Sequence, residues 1–341
     1  MESTIEISVR GQWVNVPALN VNGDPVVVTG SWLKMAAVHD EDWAENEVEH
    51  PDRYIQAVKE SGLKADIFTF TQKPTSAQKG YPYHSEAESM AVIPLRTFKE
   101  WWESLPQESR KNARRAQKRG VTVEVKEFGD ELIRGIVDVN NDSPIRQGRR
   151  YTHYQKSFEQ VKKDHAAFVD RSDFVCAYLG EEMIGFLKIV YRGEVASILQ
   201  LTPKLSHSDK RPANAMLTKA IERCGKRGIK FVTYGLFNYG NKGYTSIREF
   251  KERNGFVEVL VPRYYVPLTA WGAVCVRLKL YRGLLGILPK SVLSLGVSVR
   301  ARLYDRKQQK SRCSSTPERP NRNRQMERSN PPAGSNLSSA E

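Results

Sequence analysis

Residues 200–242 concentrate the groups that could do chemistry. Lys204, Lys210 and Arg211 lie in a loop, residues 202–212, that runs straight into a helical pattern. A helix N-terminus offers unpaired backbone N–H groups and a partial positive charge, so cations gathered there suit a phosphate. Asn214 adds an amide in the first turn, and His207 and Asp209 are titratable groups in the same loop. A solvated loop with a capping residue is the alternative reading. Gln200 interrupts the apolar run Ile198-Leu199-Gln200-Leu201. A polar side chain buried in a strand needs a partner, so Gln200 either lines a cleft or pairs with backbone. Tyr234, Asn238 and Lys242 follow a strand end. Polar groups at the carboxyl ends of strands in α/β sheets often meet ligands. A glycine-bearing turn explains that segment equally well.

The elements that must position these groups lie between Phe174 and Phe256. Phe174–Tyr178, Met183–Tyr191 and Val195–Leu201 read as three strands of a meander. Then the period changes: Ala213, Met216, Leu217, Ala220, Ile221 and Cys224 recur at helical spacing and Gly228 stops the helix. A strand over Lys230–Tyr234, a short helix over Thr245–Asn254 and a strand opened by Phe256 complete the stretch. Upstream, Asn22-Gly23 signals a hairpin between short strands. Thr97 and Glu100 have capping-box spacing. A helix from Pro106 to Gly120 places Arg110, Lys111, Arg114, Arg115, Lys118 and Arg119 on one half, at about 100° per residue, with Ala113 and Ala116 opposite. Residues 127–171 read as helix with a polar loop at 140–150, helical again over Tyr151–Phe168.

The chain has 341 residues and a formal charge of +14. That excess fits nucleic acid, an anionic membrane surface or an acidic small molecule. No apolar run reaches the roughly 18 residues of a membrane span, and the N-terminus has no secretory pattern. Cys176, Cys224, Cys275 and Cys313 are far apart, so reduced core cysteines in a cytoplasmic protein are expected and no metal. Few aromatics accompany the basic stripes, which disfavours a single-strand nucleic-acid binder. From about residue 308 the composition is too polar to order.

The order of these elements resembles the second half of a GNAT-type acyltransferase, and more narrowly the FemAB-like branch and acetyltransferase-like proteins of polysaccharide clusters. Ser109–Val121, Gly185-Phe186-Leu187, Lys226–Phe231 and Phe250–Phe256 carry the likeness, which covers about residues 101–258. It implies an α/β protein with a mixed sheet, built of two tandem GNAT-like halves. The expected divisions are 1–125, 126–265, a basic amphipathic helical extension at 266–307 and a disordered tail at 308–341.

The implied activity is N-acyl or aminoacyl transfer to an amino group of a cell-envelope or exopolysaccharide precursor. The donor is acyl-CoA, such as acetyl-CoA, or aminoacyl-tRNA. The loop at 202–212 lacks the family's glycine-rich pattern, which favours the aminoacyl-tRNA branch. In this frame Tyr234 is the candidate proton donor to the leaving group. Asp209 and His207 are candidate bases, and Lys204, Lys210, Arg211 and Asn214 are donor contacts. Arg146, Gln147, Tyr154, Gln200, Asn238 and Lys242 are candidate substrate contacts, the first three on the acceptor side. Lys251 and Arg253 match the family's basic helix or form a solvated face. A lipid-linked sugar or tRNA is the expected phosphate-bearing partner, with the chain cytoplasmic or peripheral on the inner membrane face. A GNAT-fold module that binds RNA or anionic lipid without catalysis is the alternative.

Overall fold

The computed structural model describes residues 3–9, 11–41, 48–75, 80–146, 148–238 and 246–283. The chain opens with a meander of β1 (Ser3–Val9), β2 (Gln12–Val21) and β3 (Asp24–Thr29). The β2–β3 turn is the expected Asn22-Gly23 pair, with φ of 55° and 95°, the positive values of a type I′ turn. β4 (Met35–Val38) pairs antiparallel with β3. Helix α1 (Pro51–Glu60), with proline in its first turn, crosses to β5 (Ile67–Thr71), which is parallel to β4. β6 (His84–Pro94) follows.

Helices α2 (Phe98–Ser104) and α3 (Gln107–Lys118) lead to the second half. Thr97 caps α2 by accepting from the Glu100 amide at 3.1 Å. The second half contains β7 (Val121–Lys126), α4 (Asp130–Asn141) and a two-residue ladder of β8 (Ile145–Arg146) and β9 (Arg149–Arg150). Helix α5 (Phe158–His165) comes next. The sequence suggested helix from Tyr151; the chain instead turns there, Gln155 takes a φ of 59°, and Ser157 with Gln160 forms a reciprocal capping box. A left-handed residue ends a helix and a box begins one, so the true start is Phe158.

The meander β10 (Ser172–Leu179), β11 (Glu182–Arg192) and β12 (Val195–Pro203) follows. Helix α6 (Pro212–Lys226) crosses to β13 (Phe231–Leu236), parallel to β12. Then come α7 (Ser246–Arg253), β14 (Val257–Pro267) and α8 (Ala270–Arg277).

One sheet joins both halves, in the order β1-β2-β3-β4-β5-β14-β6-β13-β12-β11-β10-β7. In each half a meander ends in a helix that crosses to a parallel strand. The last strands are exchanged: β6 lies beside β13, and β14 lies beside β5. β6 and β14 pair with each other from Val257↔Val92 to Tyr265↔His84. Neither half keeps its own closing strand.

Both faces of β10 are covered. Val175 and Ala177 face α6 with Leu217, Ala220 and Cys224. Phe174 and Cys176 face α4 with Ile133 and Ile136. Cys176, Cys224 and Cys275 are buried free thiols; Cys313 lies outside the described residues. No helix among the described residues is long and apolar enough to cross a membrane.

The C-terminal extension begins as a packed helix. Thr269 caps α8 by accepting from the Gly272 amide at 2.9 Å, and Cys275 is fully buried against Leu33 and Ile67. Trp271, Val274 and Leu278 point outward. The rest of the extension lies outside the described residues. A Cβ on Gly272 would sit 1.9 Å from the Asp66 carbonyl oxygen, so α8 docks only because this residue has no side chain. Gly272→Ala should cost about 1–3 kcal/mol by overpacking, read as a lower urea midpoint, whereas Ala273→Ser on the exposed side should leave the midpoint unchanged.

Candidate active site

The site follows from how β12 and β13 part. Their parallel ladder holds at Val195↔Phe231, Ala196↔Val232 and Ser197↔Thr233. Beyond that, β12 stays with β11 as far as Pro203, while β13, paired with β6 from Phe231 onward, stays with it after a register shift at Leu236↔Met90. The two strands therefore open as a wedge. At its apex Ser197 Oγ and Thr233 Oγ1 are 2.8 Å apart. Just past the apex β12 bulges: Lys188 faces Gln200 but Ile189 faces Ile198, so Leu199 is an extra residue that bends the strand and re-aims its backbone.

Two cavities lie on the sheet face away from α6. One, of about 260 Å³, is floored by Val190, Ser197, Thr233 and Leu236 and walled by Glu41, Glu88 and Arg263. Arg263 holds Glu88 at 3.0 Å and Glu41 at 3.3 Å. The other, of about 240 Å³, is lined by Leu199, Gln200, Lys188, Asp40, His153 and His165. The segment His39-Asp40-Glu41, which leaves β4 in the first half, contributes to both. Asp40 is half-buried, and burial raises its carboxyl pKa despite His39 and Lys188 nearby. Lys188 is 2 % exposed and donates to the carbonyls of His165 at 2.8 Å and Ala167 at 2.6 Å. Burial depresses its pKa to about 8. Burial likewise pushes His165 down to about 3, so that imidazole is neutral.

On the other face Lys251 closes the far end of the wedge. The sequence offered it as part of a solvated basic face; it is fully buried. Its ammonium donates to the Leu236 carbonyl at 2.7 Å and lies 4.6 Å from the centroid of the Tyr234 ring. Burial depresses its pKa to about 8. The only sequence signal was its place in the Phe250–Phe256 motif.

The loop before α6 carries its own anion. The Asp142 carboxylate accepts from the Leu205 amide at 2.6 Å and from the Ser206 hydroxyl. Burial opposes its ionisation, but the bonds from Ser206 and Leu205, with Arg146 beside it, hold its pKa below the usual carboxylate range. Lys204 is buried between Asp138 and Glu182, the latter at 2.7 Å. Burial alone would lower its pKa; the two carboxylates raise it. His207 Nε2 is 3.3 Å from Glu182. Asp209 is exposed and bridges Lys210 at 2.9 Å and Arg119 at 3.4 Å. Its bond from Lys210 lowers its pKa, which makes it a weaker proton acceptor. Arg211 is left-handed at the helix N-cap. Asn214 donates to the Asn254 side chain at 3.1 Å, tying α6 to α7 across the wedge.

The remaining expected residues fall in three places. Arg146 donates to the carbonyls of Pro203 at 2.7 Å and Val139 at 3.1 Å and lies 4.7 Å from the Tyr151 ring centroid. Gln200 donates to Thr202 at 3.1 Å and to the Tyr151 hydroxyl at 3.4 Å, so it both finds partners and lines a cavity. Tyr154 is half-buried in the turn before α5. Asn238 lies away from both cavities' linings, donating to Glu258 at 2.8 Å and accepting from Arg248 at 2.8 Å. Gln147 and Lys242 lie outside the described residues. Sequence reasoning missed Asp40, Glu41, Glu88 and Arg263, because they meet the second half only through the shared sheet, and Lys188, which lies inside an apolar strand run of β11 beside Gln200. Among the described residues no group of three His, Cys, Asp or Glu converges as a metal site.

No protein-family model matches the chain, and no curated protein is significantly similar. Solved structures are. The C-terminal domain of a putative lysylphosphatidylglycerol synthetase from Agrobacterium fabrum has a TM-score of 0.50 at 14% identity, over 76% of this chain and 86% of that one. FemX gives 0.45 at 10% identity, over 76% and 88%. A tandem GNAT protein from the clavulanic acid biosynthesis pathway gives 0.43 at 10%, over 75% and 83%. The fold is GNAT-like, as the sequence resemblance implied.

Burial of Lys251 has a measurable consequence. With a folded pKa near 8 and an ordinary value near 10.4, the unfolded chain holds the proton more tightly. Stability should rise with pH between those values. Relative to Lys251→Met, wild type should gain on the order of 3 kcal/mol between pH 7.5 and 10.5, measured by urea denaturation. A pH-independent difference between the two would place Lys251 in water.

Proposed function

We propose that this GNAT-like fold transfers an acyl group to an amine, and that the wedge between β12 and β13 holds the reacting carbonyl. The observation that carries the reading is the parting of these strands after Ser197↔Thr233 with a bulge at Leu199. An unpaired strand edge offers backbone N–H groups to a carbonyl oxygen, which gains negative charge as the amine attacks. The acceptor amine enters the cavity beside Asp40, whose raised pKa suits it to take the amine's proton. Lys251, cationic below about pH 8, steadies the charge on the leaving oxygen at the far end. Tyr234, held against that ammonium, relays or donates the proton. Arg146 and Gln200 shape the acceptor side.

Between the two donors, an aminoacyl ester of RNA fits better than acyl-CoA. A CoA pyrophosphate needs free amides and cations before α6, but Asp142 takes the Leu205 amide, Lys204 is already paired twice and Lys210 is paired with Asp209. Phosphodiesters can bind α3 instead. There Arg110, Lys111, Arg114 and Lys118 have no ion-pair partner among the described residues, and Arg114 lies 5.6 Å from the Trp102 ring centroid. The acceptor is an amino group on a phosphate-bearing envelope or exopolysaccharide precursor. A cytoplasmic placement, peripheral on the inner membrane face, belongs to the same reading. The filled loop also favours one second reading, a module that binds RNA without catalysis.

The test uses the full chain with aminoacyl-tRNA and acetyl-CoA as separate donors. Charged tRNA should raise the melting temperature and lose its amino acid to an added amine, while acetyl-CoA does neither. Lys251→Met should lower that transfer at least 100-fold and leave tRNA affinity within threefold. Wild-type transfer should also decline as pH rises through about 8. Stabilisation and turnover by acetyl-CoA would reverse the donor assignment. Tight tRNA binding with no transfer to any amine would leave the binding module.

A further inference from the structure

The outer face of α8 has no use in acyl transfer. Trp271, Val274 and Leu278 follow one another along it at spacings of three and four, and they are 45, 44 and 57 % exposed. Trp32, 54 % exposed, extends the stripe from the loop after β3. The two indoles meet edge to face with centroids 6.4 Å apart, and Trp271 Nε1 donates to the Trp32 carbonyl at 3.2 Å. These bonds hold two large apolar groups in water, in a fixed arrangement. Four such residues side by side form the kind of patch that marks an interaction surface.

A basic cleft adjoins the stripe. Lys34, Lys59 and Lys64 line it, together with Thr269 at the start of α8. None of the three has an ion-pair partner among the described residues. The one carboxylate in the cleft, Asp66, is bound to the Lys34 amide at 2.9 Å and to the Thr269 hydroxyl at 3.0 Å. Arg277 and Lys279 lie exposed at the other end of the helix.

We infer that this surface docks on an anionic phospholipid bilayer. Tryptophans settle at the headgroup level with an apolar body inside and a polar tip in water. Val274 and Leu278 enter the acyl boundary as the apolar face of an interfacial helix does. The three lysines bind headgroup phosphates through the negative potential of such a surface. A neutral protein groove would use the stripe but leave the lysine cleft without purpose; a nucleic acid would use the lysines but leave Val274 and Leu278 in water. Binding here deepens the membrane-face part of the proposed function and rests on it for its biological sense, but it is tested without catalysis. Loss of transfer with intact docking would sink only the enzyme reading.

The experiment is co-sedimentation of the full chain with vesicles of phosphatidylcholine alone and with one third phosphatidylglycerol. Binding should require the anionic lipid and weaken with salt. Lys34→Gln with Lys64→Gln should lower the partition coefficient about fivefold per lysine, the change that ~1 kcal/mol gives. Val274→Asp with Leu278→Asp should lower it at least tenfold, with the far-UV spectrum and melting temperature unchanged. Brominated lipid should quench wild-type tryptophan emission more than that of Trp271→Phe. Unchanged partition in both double variants overturns the inference. So does loss of a dimer in the aspartate variant, which assigns the stripe to a second copy, or a large fall in its melting temperature, which assigns the stripe to the chain's own residues.

Discussion

Two parallel strands that share only three residue pairs leave backbone groups along their facing edges without a ladder. In a buried sheet each such group costs stability unless something else bonds to it. That constraint organises the second half of the chain. β12 turns its other edge to β11, β13 turns its other edge to β6, and Lys251 takes the Leu236 carbonyl. What remains between the strands is an opening with polar backbone at its rim and apolar side chains behind. The bulge at Leu199 keeps β12 from closing back toward β13, because an extra residue alters the twist and register locally.

The exchange of β6 and β14 explains why the opening is framed by both halves. Each closing strand belongs in sequence to one half and in space to the other. The residues that wall the larger cavity therefore arrive from far apart: Glu41 after β4, Glu88 on β6, Thr233 on β13 and Arg263 on β14. Cutting the chain between the halves would take from each half the strand that pairs with its last strand. The twelve strands β1–β7 and β10–β14 make one sheet for this reason, even though two copies of one topology can be traced through it.

Charge placement followed pairing more than position. Lys204 and Lys210 looked like anion ligands because they precede a helix, yet each has a carboxylate partner. Asp142 comes from the end of α4, about sixty residues earlier, to occupy the loop. By contrast burial pulls down the pKa of Lys251, whose ammonium donates to the Leu236 carbonyl, and that of Lys188, against the attraction of Asp40 nearby. Burying an ammonium is costly, and groups with pKa values shifted in this way gather at functional sites.

Most of the elements were legible in the local pattern of residues. Apolar runs bounded by turns marked β10 to β12, Ala213–Cys224 spacing marked α6, Asn22-Gly23 marked the first hairpin, and Ala113 with Ala116 marked the buried side of α3. These are local signals, written within one or two turns of chain. That pattern did not determine the helix start at Phe158, where the left-handed Gln155 was unmarked. The surroundings of Lys251, Lys204 and Asp40 were decided only by tertiary structure, since burial and partners depend on strands far away in the chain. The same holds for the apolar residues of α8. Docking on Leu33 and Ile67 buried Cys275 and left Trp271, Val274 and Leu278 in water, because a short helix on a sheet can bury only one side.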